Sequence, residues 1–143
     1  HTRTVRALEV RYTGLPASYG HVLVESESLE EICADKLKAF LTSRFLRYRD
    51  LWDLRWLATQ PGFDTGKLPE LFQHKIDDYA ASAELEANIS RLGELGDIAA
   101  NPDFLAQLER FLPSATLDRT LRRPQWRELL VSQVRDLYQA VGL

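Results

Sequence analysis

Two aspartates and one lysine occupy positions where a helical pattern would place apolar residues. The segment 48–57, YRDLWDLRWL, is mostly leucine and tryptophan, yet it carries Asp50 and Asp53 three residues apart. Lys36 lies in the preceding segment, among apolar residues spaced three and four apart. Because burying an unpaired charge is costly, these side chains are expected either to pair with one another or to line a polar cleft.

These residue types are suited to chemistry on a phosphate group. A lysine can neutralise phosphate charge, and a carboxylate can accept a proton or hold a metal ion. Simpler interpretations also fit: Lys36 could extend its ammonium to solvent, Asp50 could complement the dipole of a first helical turn, and Asp53 could pair locally. The pattern alone leaves both interpretations open.

The segments that must position these residues are predicted to be two neighbouring helices. Ser28 and Glu31 form an S-x-x-E capping box ahead of an apolar run, which predicts a helix start. A second helix is predicted over 48–60, because Pro61 and Gly62 follow it. The short connection favours antiparallel packing, so the lysine and the two aspartates are expected to converge.

The rest of the chain also has helical signals. A third helix is expected near Pro69, and 84–95 is either a fourth helix or a continuation of the third. Asn101 and Pro102 predict a further helix start. The last helix is opened by Pro124, and its predicted buried stripe is Trp126, Leu129, Leu130, Val134, Leu137 and Val141.

The first 25 residues have a β pattern instead. VRALEVRY at 5–12 alternates, and HVLVES at 21–26 is a second β-rich run. The predicted fold class is therefore α+β, mainly α, with a short pair of strands within 1–27 and a helical bundle over 28–143. Two strands alone form a marginal sheet, so they need partners that the chain does not obviously supply.

Composition limits the classes of function. The 143 residues suit one domain, and 45% hydrophobic residues supply a substantial core. The net charge of −3 argues against the broad basic surface of an autonomous nucleic-acid binder. No apolar run reaches the length of a membrane span, and the single cysteine cannot form an internal disulfide. A cytoplasmic location and no membrane partner are expected.

Two further features could contribute to a site. Arg44, Arg47 and Arg49 surround Tyr48 just before the aspartates. A basic cluster beside an aromatic ring could contact phosphate or stack on a base, although a solvated helix junction is the alternative. Glu9 lies within the first predicted strand, where it is either an inward carboxylate or part of a water-facing edge strand.

The segment from Ser28 to Leu57 resembles the nucleotidyltransferase-like toxins of the AbiEii/AbiGii family. In that family a strand leads into a helix of the type S-x-E-E-x-x-A-x-K-x-x-A-L, and a loop separates this helix from R-D-x-x-D-L. Two separated elements agree in order and spacing. The matching residues are Ser28, Glu30, Glu31, Ala34, Lys36 and Ala39, followed by Arg49, Asp50, Asp53 and Leu54.

The resemblance implies a polymerase-β-type enzyme that transfers a nucleoside monophosphate from a nucleoside triphosphate (NTP), using Mg²⁺ held by carboxylates. It implies a toxin with a cognate antitoxin, and transfer RNA is the acceptor proposed for some members. It assigns Lys36 to the triphosphate, one of Asp50 and Asp53 to catalysis, and Arg49 to the frame of the phosphate pocket. It assigns Glu9 to the metal.

The chain departs from the family pattern in one respect. The first motif of the family, a Gly-Ser followed by two closely spaced aspartates, is not found in residues 1–25. Two-metal transfer needs several carboxylates, so the chain is expected to be the C-terminal part of a longer toxin, with 1–27 as a remnant of the nucleotidyltransferase sheet, or a truncated inactive relative. The alternatives are a non-catalytic helical module that binds an antitoxin or another protein, and a small nucleic-acid binder that uses the arginine cluster.

Overall fold

Two short strands precede a series of helices in the computed structural model, which describes residues 3–7 and 23–143. The 3-10 turns Thr65–Lys67 and Ile89–Leu92 lie within the helical part. The predicted fold class, α+β and mainly α, is confirmed. The elements are β1 (Arg3–Ala7), β2 (Leu23–Glu27), α1 (Leu29–Thr42), α2 (Tyr48–Ala58), α3 (Leu68–Asp78), α4 (Ser82–Asn88), α5 (Leu95–Ala100), α6 (Pro102–Leu108), α7 (Ser114–Arg119) and α8 (Pro124–Ala140).

The two strands form an antiparallel pair in which Arg3 lies opposite Glu27. This pairing agrees with the predicted strand pair, although β1 begins before the predicted run 5–12. Glu9 and the end of that run lie outside the described residues, so the assignment of Glu9 to a metal stays a prediction. The division of the chain into a β part and a helical part also stays a prediction.

Helix α1 begins where the capping box predicts. The Oγ of Ser28 accepts a hydrogen bond from the backbone N–H of Glu31 at 3.1 Å, which satisfies one of the donors left free in a first helical turn. Cys33, Leu37 and Phe40 are fully buried on its core face, and α2, α3 and α4 all pack against it. Helix α1 is therefore the scaffold on which the candidate site is built.

Helix α8 packs on α1 through a buried aromatic residue. The hydroxyl of Tyr138 donates a hydrogen bond to the carbonyl of Leu37 at 2.8 Å, and its ring centre lies 6.5 Å from that of Phe40. Burial raises the pKa of Tyr138 well above its ordinary value, which keeps the hydroxyl neutral. Leu129, predicted to be on the buried stripe, is exposed, while Leu130 is buried. The prediction for Leu129 was wrong because Leu130, Val134, Leu137 and Tyr138 form the buried face, and helical spacing places Leu129 about 100° around the helix from Leu130, on the side away from Tyr138.

The connection between α3 and α4 contains a residue with a left-handed backbone. Ala80 has a φ of 46°. Its N–H donates to the carbonyl of Asp77 at 3.1 Å, and the N–H of Ala81 donates to that of Ile76 at 3.0 Å, which is the Schellman pattern of a helix C-terminus. Helix α4 is therefore a separate helix, and it ends before the predicted segment 84–95 does.

Replacing Ala80 with glycine is expected to raise the free energy of unfolding by about 0.5–1 kcal/mol, because glycine adopts a positive φ without a Cβ clash. Ala83→Gly is the matched control in an exposed part of α4, where the same change should cost about 0.5–1 kcal/mol. Urea unfolding followed by circular dichroism measures both. Destabilisation by Ala80→Gly would contradict the left-handed conformation at this position.

Candidate functional site

The side chains of Lys36, Asp50 and Asp53 meet between α1 and α2. The Nζ of Lys36 lies 3.2 Å from Asp50 Oδ1 and 2.8 Å from Asp53 Oδ2. The sequence explains this contact in two ways. Helical spacing places Lys36 on the face of α1 that packs against α2, and the short connection over residues 43–47 brings the start of α2 beside it. The predicted convergence is confirmed.

Asp50 is the buried member of the two carboxylates. Its side chain is 3% exposed, and both of its oxygens are held by cations. Oδ1 accepts a hydrogen bond from Lys36 at 3.2 Å, and Oδ2 accepts one from the Nε of Arg47 at 2.6 Å. Charge-assisted hydrogen bonds of this kind fix geometry, so Asp50 is placed to orient the ammonium of Lys36.

Asp53 is the accessible carboxylate. Its side chain is 25% exposed, and its Oδ2 contacts the Nζ of Lys36 at 2.8 Å. The Nε of Arg49 lies 3.9 Å from the same oxygen, a separation too long for a hydrogen bond. A reacting group that entered from solvent would therefore meet Asp53 before Asp50.

Lys36 is a permanent cation at neutral pH. Partial burial acts to lower the pKa of its ammonium, but the hydrogen bond to Asp53 and the charge of Asp50 outweigh this effect. The pKa of Lys36 is therefore raised above its ordinary value of 10.5. A lysine that holds its proton so firmly is a poor general base, but it can neutralise an anion.

A cleft of about 450 Å³ opens beside these three residues. Its lining contains three cationic side chains and two carboxylates, which leaves an excess of one positive charge. The interaction-module hypothesis predicts a closed ion-pair network with no adjacent cavity, and this cleft disagrees with that expectation. The lining residues are Lys36, Leu46, Arg47, Arg49, Asp50, Asp53 and Gln107.

The three arginines that precede the aspartates do not all lie at the cleft. Arg47 and Arg49 line the cleft, whereas Arg44 does not and lies 5.3 Å from the ring of Phe45. Tyr48 is buried, and its ring centre lies 5.7 Å from that of Phe104 in α6. Of the alternatives left open for this cluster, stacking of a base on Tyr48 does not fit the structure, because the ring of Tyr48 belongs to the core.

The sequence matches a known family over nearly its whole length. The family described as "Nucleotidyl transferase AbiEii toxin, Type IV TA system" matches residues 4–137. The chain belongs to the AbiEii nucleotidyl transferase toxin family. The resemblance carried by the lysine and aspartate motifs is thus confirmed. No curated protein and no solved structure matches the chain.

The AbiEii family implies an NTP substrate and a divalent metal ion, as nucleotidyltransferases generally use. Within residues 3–7 and 23–143, however, no group of three or more His, Cys, Asp or Glu side chains could hold a metal ion. Both oxygens of Asp50 are already bonded to cations, and the ammonium of Lys36 lies against both carboxylates. A divalent ion would face these positive charges, so the described residues do not by themselves fit a Mg²⁺ site.

The two glutamates of the AbiEii motif are both buried, and both hold other elements against α1. The Oε1 of Glu30 accepts a hydrogen bond from the backbone N–H of Asp64 at 2.9 Å. The Nζ of Lys75, on α3, lies 3.2 Å from the Oε1 of Glu31 and 3.0 Å from the Oδ2 of Asp35. These contacts fix α3 and the turn before it on α1.

Lys75 was missed by the sequence interpretation, although a signal for it exists. Leu68, Phe72 and Ile76 form the buried face of α3, and position 75 lies on that face at helical spacing. Burial acts to lower the pKa of Lys75, but its hydrogen bonds to Asp35 and Glu31 outweigh burial and raise it. A larger cleft, of about 550 Å³, lies beside this ion pair.

No described helix of this AbiEii-family chain, in residues 3–7 and 23–143, is long and apolar enough to cross a membrane.

Proposed function

We propose that this chain is the C-terminal part of a nucleotidyltransferase-type toxin, and that the cleft at Lys36 binds the phosphates of an NTP. The observation that supports the proposal most strongly is a firmly protonated lysine in an open cleft with an excess of positive charge. The proposed acceptor is RNA, the proposed location is the cytoplasm, and a cognate antitoxin is the proposed protein partner. Family membership supports a toxin of nucleotidyl-transfer type.

Four charged residues of the cleft have roles suggested by their surroundings. Lys36 neutralises phosphate charge, and Arg49 lies at the rim as a second cation. Asp50, held on both oxygens, keeps the ammonium in place as a positioning residue. Asp53 is exposed enough to release Lys36 to an entering phosphate and to accept a proton.

The reaction that fits these roles is the attack of a hydroxyl group on the α-phosphate of the bound NTP. A bond forms between the hydroxyl oxygen and the α-phosphorus, the bond from that phosphorus to the bridging oxygen breaks, and pyrophosphate leaves. The proton of the hydroxyl passes to Asp53. The described residues provide the cation Lys36 and the acids Asp50 and Asp53, but they do not by themselves fit a metal site. Transfer is therefore expected from the full-length protein rather than from this part alone.

The reaction class is tested by the fate of two labels. The full-length protein is incubated with RNA and an NTP that carries a radioactive label on either the α- or the γ-phosphate. Nucleotidyl transfer predicts that RNA retains the α label and that the γ label is released with pyrophosphate. Transfer of the γ label to RNA would instead indicate a kinase-type reaction and would contradict the proposal.

A non-catalytic module that binds the antitoxin is the second candidate. The specific observation in its favour is that Lys36 already has two carboxylate partners within the chain, as a structural ion pair would. If it is correct, substitutions at Lys36 and Asp53 should lower stability or antitoxin binding and leave any nucleotide transfer unchanged.

The two aspartates are expected to respond differently to substitution by asparagine. Asp50→Asn should lower the free energy of unfolding by about 1–3 kcal/mol, because it weakens two charge-assisted hydrogen bonds at a buried position. Asp53→Asn should cost under about 1 kcal/mol, since a partly exposed pair contributes little. Urea unfolding measures both.

The same two variants separate positioning from catalysis. Asp53→Asn is expected to lower transfer by about 10²-fold or more while the protein stays folded. Equal stability losses in the two variants, or full transfer activity in Asp53→Asn, would contradict the division of roles proposed for Asp50 and Asp53.

A further inference from the structure

An exposed aromatic ring lies at the edge of the Lys36 cleft. Phe111, just beyond the end of α6, is 63% exposed. The guanidinium carbon of Arg49 lies 5.0 Å from the centre of this ring, and Arg49 also lines the cleft. The Lys36 cleft is therefore bordered by a surface made of an aromatic ring and a planar cation.

An amide side chain belongs to the same surface. Gln107 lines the cleft and precedes Phe111 by four residues. The helical turn continues past the end of α6, because the N–H groups of Phe111 and Leu112 both donate to the carbonyl of Leu108 at 2.9 Å. Residues four apart on a helical turn are neighbours on one face, so this spacing places Gln107 and Phe111 on the same side of the turn.

Exposure alone does not distinguish Phe111. Single exposed apolar residues are common on soluble proteins, and Phe45 is 75% exposed with the guanidinium of Arg44 5.3 Å from its ring centre. The difference is that Arg49, the cation over Phe111, lines the Lys36 cleft, whereas Arg44 does not. Of these two pairs, the one formed by Arg49 and Phe111 is therefore continuous with the cleft.

We propose that Phe111 and Arg49 bind the nucleobase of the substrate nucleotide, and that Gln107 contacts the hydrogen-bonding edge of that base. The inference rests on the proposed function, because it takes the Lys36 cleft as the site of the phosphates. Every base has a π face, so stacking supplies affinity without much selection. An amide can donate and accept hydrogen bonds, so Gln107 supplies selection among bases.

The test compares a ligand that has a base with one that has none. Dissociation constants of the four NTPs and of inorganic tripolyphosphate are measured by calorimetry on the full-length protein and its variants. Phe111→Ala should weaken NTP binding about tenfold or more and leave tripolyphosphate binding unchanged. Phe45→Ala, the matched exposed phenylalanine beside an arginine, should change neither. Gln107→Ala should narrow the spread of affinities among the four NTPs.

Several results would overturn the inference. Unchanged NTP affinity in Phe111→Ala would show that the ring is not part of the site. An equal loss of affinity for NTPs and for tripolyphosphate would show that the role of Phe111 is structural. Loss of antitoxin binding with NTP affinity intact would make Phe111 a protein contact. An unchanged spread in Gln107→Ala would remove its role in selection. If the unmodified protein binds tripolyphosphate as tightly as it binds NTPs, the base site fails and the phosphate site survives; if it binds neither, both proposals fail.

Discussion

Replacing Lys75 with alanine is expected to lower the free energy of unfolding by about 3–5 kcal/mol, the usual cost of removing one partner of a buried ion pair. Lys75 is 4% exposed and Glu31 is fully buried. The variant would deprive the Oε1 of Glu31 of an ammonium that lies 3.2 Å away, and would remove the link from α3 to Asp35. The buried carboxylate of Glu31 would lose its contact with this ammonium.

Two control proteins make this prediction specific. Lys67→Ala removes an exposed lysine just before α3 and should change stability by under about 0.5 kcal/mol. The double variant Glu31→Gln with Lys75→Met removes both charges and should be more stable than Lys75→Ala, because replacing a whole buried pair is far less costly than breaking it. Urea unfolding measures all three, and a loss of under about 1 kcal/mol in Lys75→Ala would contradict the account.

Alkaline pH provides a second test of the same ion pair. The pKa of Lys75 is raised in the folded state above its ordinary value of 10.5. Its contribution to stability is therefore complete below pH 10.5 and is lost as pH rises through the folded-state pKa. Tyr138 also has a raised pKa, which likewise lowers stability above its ordinary value of 10.0. The double variant should lose the part of this dependence that comes from Lys75 and keep the parts that come from Tyr138 and from Lys36, whose pKa is also raised.

Replacing Lys36 with alanine is expected to lower nucleotide transfer by the full-length protein by about 10²-fold or more, the typical effect of removing one group that stabilises developing charge. The stability cost should be small, because the lysine side chain is partly exposed and Asp50 keeps its bond to Arg47. Lys36→Arg preserves the charge but changes its shape and reach, so it should restore transfer only in part.

Controls for Lys36 must separate loss of charge from loss of fold. Lys67→Ala should transfer at the rate of the unmodified protein, since Lys67 does not line the Lys36 cleft. Unfolding curves recorded at the assay temperature show whether Lys36→Ala is folded. Undiminished transfer by a folded Lys36→Ala protein would remove this lysine from the mechanism and favour the interaction module.

The sequence predicts the part of the site that depends on local periodicity. Lys36, Asp50 and Asp53 interrupt apolar stripes on two successive helices joined by a short connection, so their meeting follows from helical spacing. The start of α1 is equally local, because one capping side chain and one backbone N–H three residues later determine it.

The contacts that sequence reasoning missed depend on tertiary packing. Glu31 and Lys75 are 44 residues apart, and they meet only because α3 packs on α1. Gln107 reaches the cleft from α6, whose position depends on contacts such as the one between Tyr48 and Phe104. The spacing of residues within one helix predicts neither the contact between Glu31 and Lys75 nor the position of Gln107 at the cleft.

Backbone conformation decides a second point that the sequence left open. The left-handed turn at Ala80 contains alanine where such turns usually have glycine. The sequence therefore left open a continuous helix across it. Hydrogen bonds from Ala80 and Ala81 back to the last turn of α3 end the helix instead.

Whether the Lys36 cleft binds the triphosphate is decided by the binding of inorganic tripolyphosphate to the full-length protein, measured by calorimetry. Lys36 lines the smaller of the two clefts described above and Lys67 lines the larger, so Lys36→Ala and Lys67→Ala each remove one positive charge from one cleft. We expect Lys36→Ala to weaken binding about tenfold or more, as expected for the loss of a charged contact, and Lys67→Ala to bind like the unmodified protein. Unchanged binding by a folded Lys36→Ala protein, or a larger loss in Lys67→Ala, would contradict the assignment of the triphosphate to the Lys36 cleft.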